Sequence, residues 1–157
     1  MDSRRYQLIT SEIEKQIEEI ERVLQTLLER NEQIARGEAV ILEGAAFHLH
    51  NYYSAVEDLL KIVAVAFENN ISDVSRWHSE LIDRMTIDIE GVRPRLLSGE
   101  TAALLHRVRS FRHFFRHAYR VDLDGAEIQE NIDRVIKAHP LLLADITRFL
   151  SLLQRPD

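Results

Sequence analysis

Apolar residues recur at helical spacing through almost the whole chain. Tyr6, Ile13, Ile20, Leu27 and Ile34 stand seven residues apart, and Ile9, Ile17, Val23, Leu24 and Leu28 fill in the same side. A stripe of this length with no Pro or Gly inside it predicts one amphipathic helix over residues 2–36. Asp2 or Ser3 can cap its start, and Gly37 stands where a glycine would stop it. A second stripe, Leu42, Ala45, Leu49, Tyr52, Tyr53, Val56, Leu59, Leu60, Val63 and Phe67, predicts a helix over 38–68 ending in Asn69-Asn70. The connection between the two is so short that they must pack antiparallel.

After a loop over 71–74, Ser75 can cap a short helix over 77–86. Residues 87–98 contain Gly91 and Pro94 and read as a connection. Ser98 can cap a fourth helix reaching about Val121. Asp122-Leu123-Asp124-Gly125 reads as a turn, with Asp124 as the next cap. The last helix covers 126–154, with the stripe Ile128, Ile132, Val135, His139, Leu142, Ile146, Phe149 and Leu153. Pro140 lies inside it and predicts a kink or brief break near His139. No segment alternates with period two. The predicted fold is all-α: an up-and-down bundle of four long helices and one short one, forming a single domain over residues 1–157.

Composition adds exclusions. Five Gly and three Pro leave little material for turns, which favours few, long elements. There are no cysteines, hence no disulfides and no thiolate chemistry. Met1-Asp2-Ser3-Arg4-Arg5 leads into Glu-rich sequence rather than an apolar run, so no signal peptide is expected. The longest apolar-rich stretch, residues 59–67, is interrupted by Lys61 and too short to span a bilayer. The expected location is the cytoplasm, with no membrane partner.

Charge changes the picture more. From Thr101 to Val121 there are five arginines (Arg107, Arg109, Arg112, Arg116, Arg120), three histidines (His106, His113, His117) and no Asp or Glu. The chain's net charge is −6, and with this segment's +5 set aside the rest stands at −11. On a helical wheel at about 100° per residue Arg109, Arg112, Arg116, Arg120, His106, His113, His117 and Tyr119 fall within one arc of about 160°, with Val108, Phe111, Phe114 and Phe115 on the other side. Unpaired arginines at i, i+4 repel one another. Acidic residues of the first two helices, a polyanion or a partner must compensate.

Two readings of this face stand side by side. It pairs with the Glu-rich surface of helix one, or it is an anion site. A zinc site at His113 and His117 has the right spacing but lacks a third ligand, the nearest acid along the helix being Asp122. A di-iron bundle is excluded by the lack of any Glu-x-x-His. Neither a metal nor a cofactor is expected. The spacing of Arg112, His117 and Tyr119 favours the anion site. Cleaving an RNA phosphodiester needs a base for the 2′-OH, an acid for the leaving oxygen and cations for the pentavalent phosphate. His supplies acid or base near neutral pH, and Arg holds phosphate bidentately. On a straight helix Arg112 and His117 are about 140° apart, so the pair is an open site that a two-fold dimer would close.

Arg112-His113-Phe114-Phe115-Arg116-His117-Ala118-Tyr119 resembles the Arg-x4-His-x-Tyr motif of HEPN-domain ribonucleases, in particular the HepT toxins of HepT/MntA toxin–antitoxin systems. The resemblance covers most of the chain: a long first helix, Phe47-His48-Leu49-His50-Asn51-Tyr52-Tyr53 in the second, the motif on the fourth and a long last helix. It implies a metal-independent endoribonuclease toxin acting on tRNA or mRNA as a homodimer, with Arg112 and His117 of both chains lining one cleft. It also implies a minimal nucleotidyltransferase antitoxin that moves AMP from ATP onto the motif tyrosine, here Tyr119. Neighbouring arginines favour that phenolate as a nucleophile. Added AMP brings charge and bulk into the phosphate site and blocks it. Arg109, His113, Arg116 and Arg120 are read as RNA-phosphate contacts. Glu57 and Asp58 are candidate counter-charges, while His48, His50, Tyr52, Tyr53, Trp77, His78 and His139 are read as packing groups. The competing functional reading is a non-catalytic helical module that engages a nucleotidyltransferase or nucleic acid without cleaving it.

Overall fold

A computed structural model describes residues 2–68, 74–117 and 123–154, without the side chains of 74–79 and 112–117. Helix α1 (Ser3–Asn31) starts where Asp2 accepts a hydrogen bond from the Arg5 N–H at 2.9 Å. It stops earlier than the stripe suggests. Residues Ile34–Arg36 form a separate 3-10 turn that keeps Ile34 in the core, and Gly37 ends it at φ 66°, a left-handed conformation that favours glycine. α2 (Ala39–Glu68) follows, then α3 (Val74–Met85). Ser75 therefore lies inside α3 rather than capping it. Asn69, Asn70 and the loop over 71–73 lie outside the described residues.

Ser98 caps α4 (Gly99–His117), its Oγ accepting from the Thr101 N–H at 3.3 Å. The buried Asp145 carboxylate reinforces this cap, accepting from the Ser98 N–H at 2.8 Å and the Thr101 hydroxyl at 2.7 Å. The expected end of this helix near residue 121 lies outside the described residues. Asp124 caps α5 (Gly125–Leu153) through the Ala126 N–H at 2.9 Å. α5 runs through Pro140 as one helix, so the break expected there as the alternative to a kink does not occur. Pro140 is exposed, while Ala138, His139 and Leu142 around it are buried. Packing on both sides outweighs the one backbone hydrogen bond that proline removes.

The result is the predicted all-α bundle, with four long helices and one short one. α1 packs mainly on α2 and also on α5, while α4 packs on α5, α2 and α3. One core joins them: Ile13, Ile20 and Leu27 from α1, Leu49, Val56 and Leu60 from α2, Leu105 and Val108 from α4, Ile132, Val135 and Phe149 from α5. Each such side chain contributes about 1.5–3 kcal/mol when fully buried. Among the described residues no helix is long and apolar enough to cross a membrane.

The segment between α3 and α4 is set by one arginine. Gly91, at φ 71°, turns a short bridge between Ile89 and Arg93. Arg93 is fully buried, and its guanidinium donates to Glu68 Oε1 at 2.7 and 2.9 Å and to the carbonyls of Arg84, Ile87 and Pro94. Glu68 ends α2, so this cluster ties the end of α2 to the chain just before α4. At the other end of α2, Leu42 lies against Gly125, the first residue of α5. α2 also packs on α4.

Candidate functional site

α4 is helical through both Arg112 and His117. Five residues along a helix separate their Cα atoms by about 9 Å and about 140°. Arg109 is half-buried on the same helix. Arg112, His113, Arg116 and His117 thus share one continuous helix with Arg109, although their side chains are outside the described residues, as are Tyr119 and Arg120 altogether.

The described half of α4 corrects the simple wheel. Thr101, Ala102, Leu105, Val108 and Phe111 are all buried. Leu105 stands two turns before Arg112 at nearly the same angle, and Thr101 and Ala102 flank it. The register position of Arg112 therefore lies on the side of α4 that packs into the bundle one and two turns earlier.

The surroundings decide which charges can answer it. On α1, Glu19 pairs with Arg22 at 2.7 Å, and Glu21 stands 3.8 Å from His139 Nε2. α1 packs mainly on α2 and also on α5. On α3, exposed Asp83 meets His106 Nε2 at 2.6 Å, so the first histidine of the basic run is docked to α3. On α2, Glu57 is buried, and its carboxylate stands 3.0 Å from Lys61 Nζ. Asp58, one residue on, is exposed and reaches the same ammonium at 3.1 Å. Burial pulls the Lys61 pKa down, but the hydrogen bonds and charges of Glu57 and Asp58 outweigh it and raise the value.

His139 serves packing, while the side chain of His78 lies outside the described residues. Tyr52 is fully buried and its hydroxyl lies 3.1 Å from His139 Nδ1. With the second ring N–H turned toward Glu21, neutral His139 accepts from the phenol. Burial pushes the Tyr52 pKa up and that of His139 down, the latter partly offset by Glu21. His48 is half-buried and lines an open groove of about 480 Å³ between α1 and α2, together with Gln16, Asn51 and Asp58. Burial and then the charge of Arg30 lower its pKa. Among the described residues no three His, Asp or Glu side chains cluster as a metal site would require.

Three polar clusters escape a residue-by-residue reading: Arg93 with Glu68, Asp145 with the start of α4, and Tyr52 with His139. The available signal is a charged or hydrogen-bonding residue on a register otherwise occupied by core positions. Glu57 shows it, standing one turn from Tyr53 and from Leu60.

Residues 44–153, well over half the chain, match a protein family described as HepT-like protein. The matched segment runs from early α2 to the end of α5 and contains all of α4. Neither the curated proteins nor the solved structures contain a match.

Proposed function

The chain belongs to the HepT-like family, and from that premise we propose that it is a metal-independent endoribonuclease of the toxin class. The observation that carries this reading is the Arg112-x4-His117-x-Tyr119 run, which falls in the matched segment and places arginine and histidine on one uninterrupted helix. Two copies of α4 facing across a two-fold axis would bring two arginines and two histidines to one cleft. One His117 accepts the proton of the ribose 2′-OH as that oxygen attacks phosphorus. The 2′-O–P bond forms and the P–5′-O bond breaks. The other His117 gives its proton to the departing 5′-oxygen, leaving a 2′,3′-cyclic phosphate. The two Arg112 guanidiniums hold the pentavalent phosphate. Arg109, His113, Arg116 and Arg120 hold neighbouring phosphates of the strand.

Control rests on Tyr119. A nucleotidyltransferase antitoxin directs the Tyr119 oxygen onto the α-phosphorus of ATP, forming a tyrosyl–AMP ester as the bond to pyrophosphate breaks. The new anion occupies the arginine face and closes the site to RNA.

The test is cleavage of total RNA in EDTA by protein whose intact mass shows no added AMP. Wild type cleaves, and Arg112→Ala and His117→Ala do not. Intact unmodified wild type that binds RNA without cutting it overturns this reading in favour of a non-catalytic binding module. A stable monomer under cleaving conditions overturns the shared cleft. Tyr119→Phe removes any AMP-sized mass increment while leaving cleavage intact.

A further inference from the structure

Asp83 stands in the last turn of α3. A carboxylate there faces the negative end of the helix dipole, so the position brings α3 itself no stability. The buried Leu81, Ile82 and Met85, with the contact of Arg84 to Glu68, hold that end of α3 on the bundle. The Asp83 side chain is 70% exposed and reaches across to α4, where it accepts from His106 Nε2 at 2.6 Å.

His106 is the first member of the basic run. Arg109 stands one turn further on the same side of α4, and the helical register carries that line to positions 113 and 117, the latter roughly 16 Å from His106 along the axis. Among the described residues neither Arg107 nor Arg109 pairs with a carboxylate. The described part of the basic run therefore leaves its arginines open and closes its histidine with an acid from another helix.

Carboxylate and phosphate oxygens accept the same N–H, and one ring nitrogen serves one of them at a time. A strand following the arginines toward the start of α4 meets a carboxylate where it needs a donor. We infer that His106 is a further phosphate-binding position of this face and that Asp83 is its built-in competitor, setting how far a bound strand extends along α4. The exposed carboxylate can swing into water, so the contact yields to a phosphate held nearby by Arg109. This deepens the reading of the face as an RNA site and rests on it.

The test is binding of a labelled 2′-O-methylated oligouridine, which cannot be cleaved, followed by fluorescence anisotropy on protein free of AMP. Asp83→Ala lowers Kd about three- to tenfold, the worth of one hydrogen bond gained. Asp83→Asn, which keeps an acceptor without the charge, gives a smaller gain. In a His106→Ala background Asp83→Ala gives none. Glu80→Ala, which removes an equal charge one turn earlier on α3, leaves Kd unchanged. A gain that survives without His106, or an equal gain from Glu80→Ala, shows plain charge repulsion and overturns the inference, as does an unchanged Kd in folded Asp83→Ala. If the Asp83 effect is present but wild type cuts no RNA, the competitor stands and the ribonuclease reading fails. If wild type cuts RNA and Asp83→Ala binds no tighter, the reverse holds.

Discussion

Replacing Arg93 by Met is the sharpest test of how α4 is held. Its guanidinium is fully buried and makes hydrogen bonds to Glu68 and to three backbone carbonyls. Met has a similar reach and no charge, so little volume is lost. Three carbonyls lose a donor, and among the described residues the buried Glu68 keeps Arg84, whose side chain is 47% exposed. Breaking one side of a buried ion pair costs about 3–5 kcal/mol, and the surviving Arg84 contact keeps the expected loss near the low end, about 3 kcal/mol. For a chain of this size that is a fall in Tm of roughly 6–12 °C. The assay is urea unfolding with thermal melts, extended to Glu68→Gln and the double variant. Without the stranded carboxylate, the double variant is no less stable than Arg93→Met alone. A loss below about 1 kcal/mol, or a cycle additive to within about 0.5 kcal/mol, refutes the reasoning.

Further outcomes follow from the same physics. Tyr52→Phe leaves His139 Nδ1 buried without its donor and lowers stability by about 1–3 kcal/mol, read by urea unfolding. The pKa values of His139 and His48 are lowered in the fold, so the unfolded chain binds their protons first. Stability present above the unfolded histidine value of about 6.5 is therefore lost as pH falls below it, and His139→Gln flattens the slope between about pH 7 and 5 in melts. Leu27→Ala opens a cavity in the fully buried contact of α1 with the core and costs about 2–5 kcal/mol by denaturant titration.

Most of the architecture was legible along the chain. Five helices, the caps at Asp2, Ser98 and Asp124, and the glycine stop at Gly37 are local matters, decided by side chains within a turn or two of the backbone they satisfy. The core stripes also follow from periodicity, because every third or fourth residue of a helix shares a face. The basic segment and its Arg112, His117 and Tyr119 spacing belong to the same class, and the HepT-like match falls across them.

What tertiary structure decided is where each local feature faces. α1 ends at Asn31 and α5 runs through Pro140, because packing on distant helices sets how far a helix can persist. Glu57 and Asp58 are adjacent and chemically alike, yet one is buried and the other exposed. Charge and periodicity are properties of one helix, and a pairing between helices depends on their mutual rotation and height. Those are settled by contacts such as Arg93 with Glu68 and Leu42 with Gly125, which join residues far apart in the chain.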